Sequence, residues 1–153
     1  MATKPTTVVS MRLPAASAER LKRMARRHGW TASDTSARLV EEGLRRQEFA
    51  LIDFRDSPIG RQAYIEGSRL TIWQMADLLR AYKQDAGAVA KHLEWPVHKV
   101  QAAVNYIEAF PDEIAEQLAE YDAIDFAALK RILPNIQERV VDLSEDHVEA
   151  PAR

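Results

Sequence analysis

The feature that most constrains the fold is one alternating segment near the N-terminus, residues 6–13, with no second strand beside it in the sequence. An apolar face alternates with a mostly polar face, as in a strand that is buried on one side. The polar face consists of Thr6, Val8, Ser10 and Arg12. Pro14 ends the strand, because proline cannot donate a ladder hydrogen bond.

Two short helices are predicted after Pro14. The first ends near Gly29 and the second begins at Thr31, a helix-capping residue followed three positions later by an acid. A head of about 45 residues with one unpaired strand is near the lower limit for independent folding, so another stabilising element is needed. A second copy is the simplest source. Two copies would form an antiparallel ribbon that fits the major groove of DNA.

These residues resemble the ribbon-helix-helix repressors of the Arc and MetJ type. The resemblance is carried by VVSMRLP at residues 8–14, HGWTAS at 28–33 and ARLVEEGL at 37–44. It implies an obligate dimer whose outward strand side chains contact bases, here Thr6, Val8, Ser10 and Arg12. It also implies a phosphate contact at Thr31 and Ser33, where a helix N-terminus presents free N–H groups. Val8 departs from the usual hydrogen-bonding residue at its position.

Composition places the chain among globular proteins and excludes several classes. The 153 residues are 46% hydrophobic and 29% charged and include no cysteine, which excludes disulfides, thiol nucleophiles and cysteine-bound zinc. There is no run of about 20 apolar residues and no signal-peptide core. We therefore expect a cytoplasmic protein without cofactors or metals.

Charge is distributed unevenly along the chain. Residues 1–47 carry ten Lys and Arg against four Asp and Glu, a balance of +6, whereas residues 111–153 carry four against eleven, a balance of −7. Residues 48–110 are close to neutral. A basic head suggests a nucleic-acid contact, and an acidic tail suggests solubility or a basic partner. A solvated helix face is the alternative explanation for the basic cluster.

The middle of the chain predicts a connector followed by three helices. Residues 48–67 are expected to form turns, with room for one short strand near residues 51–54. Apolar periodicity predicts helices over residues 71–82, 86–93 and 97–109, in the order of a helix-turn-helix. The outward side chains of the third helix could contact a second DNA site: His98, Lys99, Gln101 and Asn105. Many small helical bundles share this pattern and bind no DNA.

A second resemblance is carried by GSRLTIW at residues 67–73, preceded by IDFRDSPIGR at residues 52–61. This stretch is similar to a small helix-turn-helix family catalogued as a domain of unknown function (family 433). The resemblance implies a prokaryotic regulator, often a VapB-like antitoxin encoded beside a PIN-like nuclease toxin. Such an antitoxin neutralises the nuclease and represses its own operon.

The C-terminal part is expected to begin with a helix at Pro111. Apolar residues between 126 and 143 either pack back onto the middle module or order only on binding a toxin. In the second case a cation could occupy the Mg²⁺ position of the nuclease. The candidate toxin contacts are Phe126, Leu129, Lys130, Arg131 and Arg139.

An enzyme is not expected. The four histidines lack metal-ligand spacing, and phosphate-binding and nucleophile-elbow motifs are absent. Asp53 and Asp56 are interpreted as salt-bridge partners of neighbouring arginines.

The sequence thus predicts a mainly α protein. Its three parts are a ribbon-helix-helix module at 1–47, a helix-turn-helix module at 48–110 and a helical tail at 111–153. The predicted function is DNA-binding regulation as an antitoxin. The alternatives are a stand-alone repressor and a dimeric interaction protein whose middle module binds protein. The sequence does not distinguish a dimer from a tetramer.

Overall fold

The computed structural model describes residues 6–124 and Arg131. This part is mainly helical, as predicted, with six helices and one two-stranded antiparallel sheet. The elements are α1 (Ala15–His28), α2 (Ala32–Glu48), β1 (Ile52–Ser57), β2 (Gly60–Ile65), α3 (Ile72–Ala81), α4 (Ala86–Leu93), α5 (Val97–Ala109) and α6 (Pro111–Asp122). No helix in the described part of the chain has both the length and the apolar character needed to cross a membrane.

The two head helices begin and end where the sequence predicts. Gly29 adopts a left-handed conformation with φ of 68°, and its N–H donates to the carbonyls of Ala25 and Arg26, which ends α1. The hydroxyl of Thr31 accepts a hydrogen bond from the N–H of Asp34 and so caps α2. Local capping therefore determines where α1 ends and where α2 begins.

Residues 6–14 form no regular secondary structure in the single chain, although the sequence predicts a strand for residues 6–13. The physical reason is that a strand needs a hydrogen-bonded neighbour. The sequence places that neighbour in a second chain, so the ribbon itself stays a prediction.

The segment that the sequence assigns to a connector is a β-hairpin: β1 overlaps the short strand predicted near residues 51–54, whereas β2 was not predicted. β1 and β2 pair from Ile52 opposite Ile65 to Ser57 opposite Gly60. A two-residue turn of Pro58 and Ile59 joins them. Gly60 has φ of 117°, which a residue with a Cβ rarely adopts.

The three helices of the middle module have almost the predicted bounds. Thr71 forms a full capping box with Gln74 at the start of α3, and the Asp85 side chain caps α4. The predicted inner side chains of α3 are all buried, namely Ile72, Met75, Ala76 and Leu79, and α3 packs against α5 and against β2. The core of the molecule lies here; its largest fully buried side chains include Tyr106, Ile65, Ile72, Met75, Leu79, Val89 and Val100.

One side of α5 differs from the prediction. The sequence predicts Val100, Val104 and Ile107 as the inner side of this helix; Val100 is buried, but Val104 and Ile107 are only half-buried. Ala103 and Tyr106 take the central positions instead. The tyrosine was not expected in the core because its hydroxyl needs a polar partner, and that partner comes from a distant helix.

The chain forms two compact units that divide after Ile114. The first unit contains both the predicted head and the predicted middle module. Glu42 of α2 and Arg61 of β2 join them through a salt bridge of 2.7 Å that is mostly shielded from solvent. The division after residue 47 therefore stays a prediction about folding units, because contacts cross it.

Candidate nucleic-acid interface

The predicted base-contacting residues are all exposed. Thr6, Ser10 and Arg12 lie on the open segment before α1, and Val8 has 93% of its surface accessible. The apolar side of the same segment is also uncovered, with Val9 79% exposed. Side chains of this kind are normally buried. The segment therefore presents both faces of its alternating pattern to its surroundings.

The head has almost no core of its own. In α1 and α2, which the structure describes completely, Ala25 and Thr35 are the buried residues. Thr35 satisfies its hydroxyl by donating to the carbonyl of Thr31 at 2.8 Å. The inner side of the head is thus thin and partly polar, as the sequence suggests.

An uncovered apolar surface lies on the head, and we call it the head groove. It is lined by Leu13, Ser17, Arg20, Leu21, Met24 and Leu39. On α2, Val40 and Leu44 are about half exposed. Apolar side chains recurring at helical spacing on an open face indicate a surface that another element covers.

The N-terminus of α2 is the predicted phosphate site, and it already holds a carboxylate. The hydroxyl of Thr31 donates to Asp34 Oδ2 at 2.7 Å and accepts from the Asp34 N–H at 3.0 Å. That hydroxyl is therefore occupied, and the charge of Asp34 opposes an anion beside it. Ser33 is exposed. Ser33 and the first backbone N–H groups are the better phosphate donors at this end.

An aromatic and cationic cluster lies next to this helix end. The rings of His28 and Trp30 stack with centroids 4.3 Å apart, and the Arg38 guanidinium lies 4.4 Å from the centre of the Trp30 ring. His28 Nε2 approaches Asp56 of the hairpin at 3.4 Å. These contacts fix the turn between α1 and α2 against the hairpin. No spacing pattern in the sequence predicts these contacts.

The outward face of α5 carries the second predicted DNA site. Lys99 is half-buried, with Nζ 4.2 Å from the centre of the Trp95 ring. Gln101 donates to Asn105 at 3.0 Å, and His98 is exposed. The structure brings His98, Gln101 and Asn105 to one face of α5, where they line the same groove, whereas Lys99 lies against Trp95 and does not line it.

That face borders an apolar groove rather than a basic surface. The groove, which we call the α5 groove, is lined by Phe49, Ala50, Leu51, Val97, His98, Gln101, Ala102 and Asn105. Val97 is about half exposed. Apolar lining is typical of sites that bind protein, whereas DNA contacts are strongly cationic.

The most connected polar side chain in the described structure is Arg45, which sequence analysis missed. Arg45 Nη1 donates to the Tyr106 hydroxyl at 2.6 Å and to Glu113 at 2.8 Å. Nε donates to Glu41 at 2.8 Å, and the guanidinium lies 3.8 Å from the centre of the Phe110 ring. Arg45 therefore joins α2 to α5 and to the first turn of α6.

The ionisation of this cluster follows from its surroundings. Burial acts to lower the pKa of Arg45, but hydrogen bonds to Glu113, Glu41 and Tyr106 outweigh it, so the pKa is raised. Burial, together with the nearby charge of Glu113, raises the pKa of Tyr106 to about 12. The guanidinium and the neutral phenol are therefore the stable forms over the whole physiological range.

The paired acids on β1 behave as predicted. Asp53 lies 3.7 Å from Arg55, and Asp56 lies 3.1 Å from Arg61. A hydrogen bond to Glu42 is the largest cause of a raised pKa at Arg61. These carboxylates are salt-bridge partners.

Most of the candidate toxin contacts lie outside the described residues: Phe126, Leu129, Lys130 and Arg139. Arg131 is described and is exposed.

Among the residues that the structure describes, no group of three or more His, Asp or Glu side chains could hold a metal ion. Comparisons with protein-family models, with curated proteins and with solved structures found no match to this chain.

Proposed function

We propose that the chain is a sequence-specific DNA-binding transcriptional regulator that acts as a homodimer. Residues 6–13 of two copies pair as a ribbon, with Ser10 and Arg12 towards the bases and Val9 and Met11 towards the dimer core. Arg12 is the principal base contact, since arginine binds guanine through two hydrogen bonds. Ser33 and the N-terminus of α2 hold a phosphate.

One observation carries this proposal. The head exposes a continuous set of apolar side chains, in residues 6–13 and on both helices, while it buries few of its own. A second copy would cover the head groove and also supply the hydrogen-bonding partner that residues 6–13 lack. The +6 balance of residues 1–47 supports a nucleic-acid ligand for the resulting ribbon.

The antitoxin role is the more specific form of the proposal. It rests on the resemblance of residues 67–73 and on the acidic composition of residues 111–153, and its partner is a PIN-like nuclease. The test requires a small PIN-like reading frame beside the gene, whose product is the candidate nuclease. Nuclease activity is compared with the full chain and with a chain ending at Tyr121. Full inhibition by the shortened chain would exclude the tail as the inhibitory segment.

The α5 groove favours a second candidate function, in which the middle module binds protein and only the head binds DNA. The apolar character of Leu51, Val97 and Ala102 supports it. Replacing Gln101 and Asn105 together by alanine separates the two uses of this face. Unchanged DNA affinity supports a protein contact, whereas a tenfold loss of DNA affinity supports a second DNA site.

The DNA-binding proposal is tested by measuring the affinity of the full chain for its own promoter and for a random duplex of equal length. The unsubstituted chain should prefer the promoter, and its affinity should fall steeply with salt. Arg12→Ala should reduce this preference by about 1–3 kcal/mol, the value of one good base contact. Arg69→Ala, which removes an exposed arginine outside the head, is the control. Equal affinity of the unsubstituted chain for both duplexes would defeat the proposal.

A further inference from the structure

The outward face of α1 is strongly cationic. All its charged side chains before His28 are exposed, and they comprise five cations and one carboxylate: Glu19, Arg20, Lys22, Arg23, Arg26 and Arg27. The apolar side of the helix, with Leu21, Met24 and Ala25, turns the other way. Apart from Arg20, which also lines the head groove, the cations therefore lie on a face that the proposed dimer core does not use.

The carboxylate on this face is already neutralised. Glu19 forms a salt bridge with Lys22 at 3.0 Å, and that hydrogen bond, followed by the charges of Lys22, Arg26 and Arg23, lowers the pKa of Glu19. Within the described structure, none of the salt bridges involves the four arginines of α1. The remaining positive charge must be met by solvent ions or by a ligand.

The spacing and chemistry of the arginines favour a nucleic-acid backbone. Arg20, Arg23 and Arg27 recur at about one helical turn and span about 10 Å along the axis, at ~1.5 Å per residue. Along the axis of the double helix one DNA strand presents a phosphate about every 3.4 Å, so about three phosphates of that strand fall within this length. A guanidinium binds a phosphate through two parallel hydrogen bonds, which an ammonium cannot do.

We propose that the outward face of α1 is a second nucleic-acid contact, which binds backbone phosphates flanking the ribbon site without reading their sequence. The contact rests on the proposed DNA-binding function and extends it. α1 follows residues 6–13 directly through Pro14, so the two contacts lie at the same end of the chain. The ribbon selects the site, and the arginine face supplies affinity that depends on salt.

The competing occupant is an acidic segment of another copy of this chain. Residues 111–124 contain five Asp and Glu and no Lys or Arg. Arginine binds carboxylates as well as phosphates, and phosphate is favoured because α1 directly follows the segment that is proposed to contact DNA. If the acidic segment were the occupant, removing the arginines would leave DNA affinity unchanged or increase it.

The test uses the full chain with Arg23→Gln, Arg26→Gln and Arg27→Gln combined. Arg20 is left in place because it lines the head groove. Glutamine has a helix propensity close to that of arginine, and circular dichroism checks that the helices persist. Affinity for the promoter and for a random duplex is measured over a range of salt concentrations.

We expect the triple variant to bind both duplexes at least tenfold more weakly, with the preference for the promoter unchanged. The slope of log affinity against log salt should fall by about 0.9 for each lost phosphate contact, and by at least ~2 in the dimer. A variant in which lysine replaces the same three arginines should recover part of the slope. Arg69→Gln, Lys83→Gln and Lys91→Gln combined remove the same charge from the middle module and should change the slope little.

The outcomes separate this inference from the function on which it rests. No DNA binding by the unsubstituted chain would overturn both. Promoter binding with the same slope in the triple variant, or tighter binding by that variant, would overturn only the α1 contact. Equal effects of the two charge-matched triple variants would also overturn it, because they would indicate a general effect of net charge.

Discussion

The head and the middle module use apolar residues in opposite ways. In α3 the apolar side chains at helical spacing are covered by other parts of the same chain, and Leu79 is 2% exposed. In α1 and α2 the same kind of spacing leaves Leu44 53% exposed. Apolar residues recur at helical spacing in both regions. Periodicity therefore shows which residues need cover, but the cover can come from this chain or from another.

The largest expected effect tests the self-sufficiency of the middle module. Leu79→Ala should lower the free energy of unfolding by about 3 kcal/mol, because it removes a fully buried side chain and leaves a cavity. Chemical denaturation at several protein concentrations measures it. Since the core of this module lies within one chain, the loss should be the same at each concentration. A loss that vanishes at high concentration would contradict that assignment.

The second effect tests how firmly the two regions are joined. Arg45→Ala removes hydrogen bonds to Glu41, Tyr106 and Glu113 and should cost about 2 kcal/mol, less than a fully buried ion pair because the cluster is partly open. Arg46→Ala is the matched control on the same helix. Arg46 is mostly exposed and forms one weak salt bridge, so its loss should cost under about 0.5 kcal/mol. Equal losses of unfolding free energy for the two variants would argue that Arg45 does not join the two regions.

Arg45 also shows where sequence reasoning ends. The caps Thr71 and Asp85 are local, since each bonds within three residues, and the bounds of α3 and α4 follow from them. The partners Tyr106 and Glu113 lie 61 and 68 positions from Arg45. No spacing rule relates residues that far apart. The burial of Tyr106 was missed for the same reason.

The hairpin was missed because its second strand carries a weak pattern. β2 begins with Gly60, Arg61 and Gln62, which predict a turn rather than a strand, and only Ala63 and Ile65 face the core. Pairing with β1 across a short turn stabilises it. At the candidate site the sequence predicts that residues 6–13 need a partner; the structure shows these residues exposed and outside regular secondary structure, and the partner itself stays a prediction. Asp34 lies only three residues from Thr31, so its role in the α2 cap is local. That its carboxylate occupies the Thr31 hydroxyl and opposes a bound phosphate follows only from the geometry.

A third effect tests whether the head is completed by a second copy. Leu44→Ala should barely change the stability of a single chain, because the side chain is already half exposed. It should instead raise the dimer dissociation constant at least tenfold, which is about 1.4 kcal/mol. Analytical ultracentrifugation over a dilution series measures this. A chain that stays monomeric at every concentration, with or without the substitution, would remove the basis for the ribbon.

The smallest effect concerns the pH dependence of stability. It tests the contact of Tyr106 with Arg45, which joins the head to the middle module. Because burial raises the pKa of Tyr106 to about 12, the folded state keeps a proton that the unfolded state releases near pH 10. The stabilisation is complete below pH 10 and is lost as the pH rises towards 12, so unfolding should become easier across that interval. We expect a loss of about 1 kcal/mol after allowance for screening by solvent. Tyr106→Phe should abolish this part of the pH dependence, and its ultraviolet difference spectrum against the unsubstituted chain should show one phenol ionising late. A phenol that ionises near pH 10 in this difference spectrum would indicate that water reaches the contacts around Arg45. The head and the middle module would then be less firmly joined than these contacts imply.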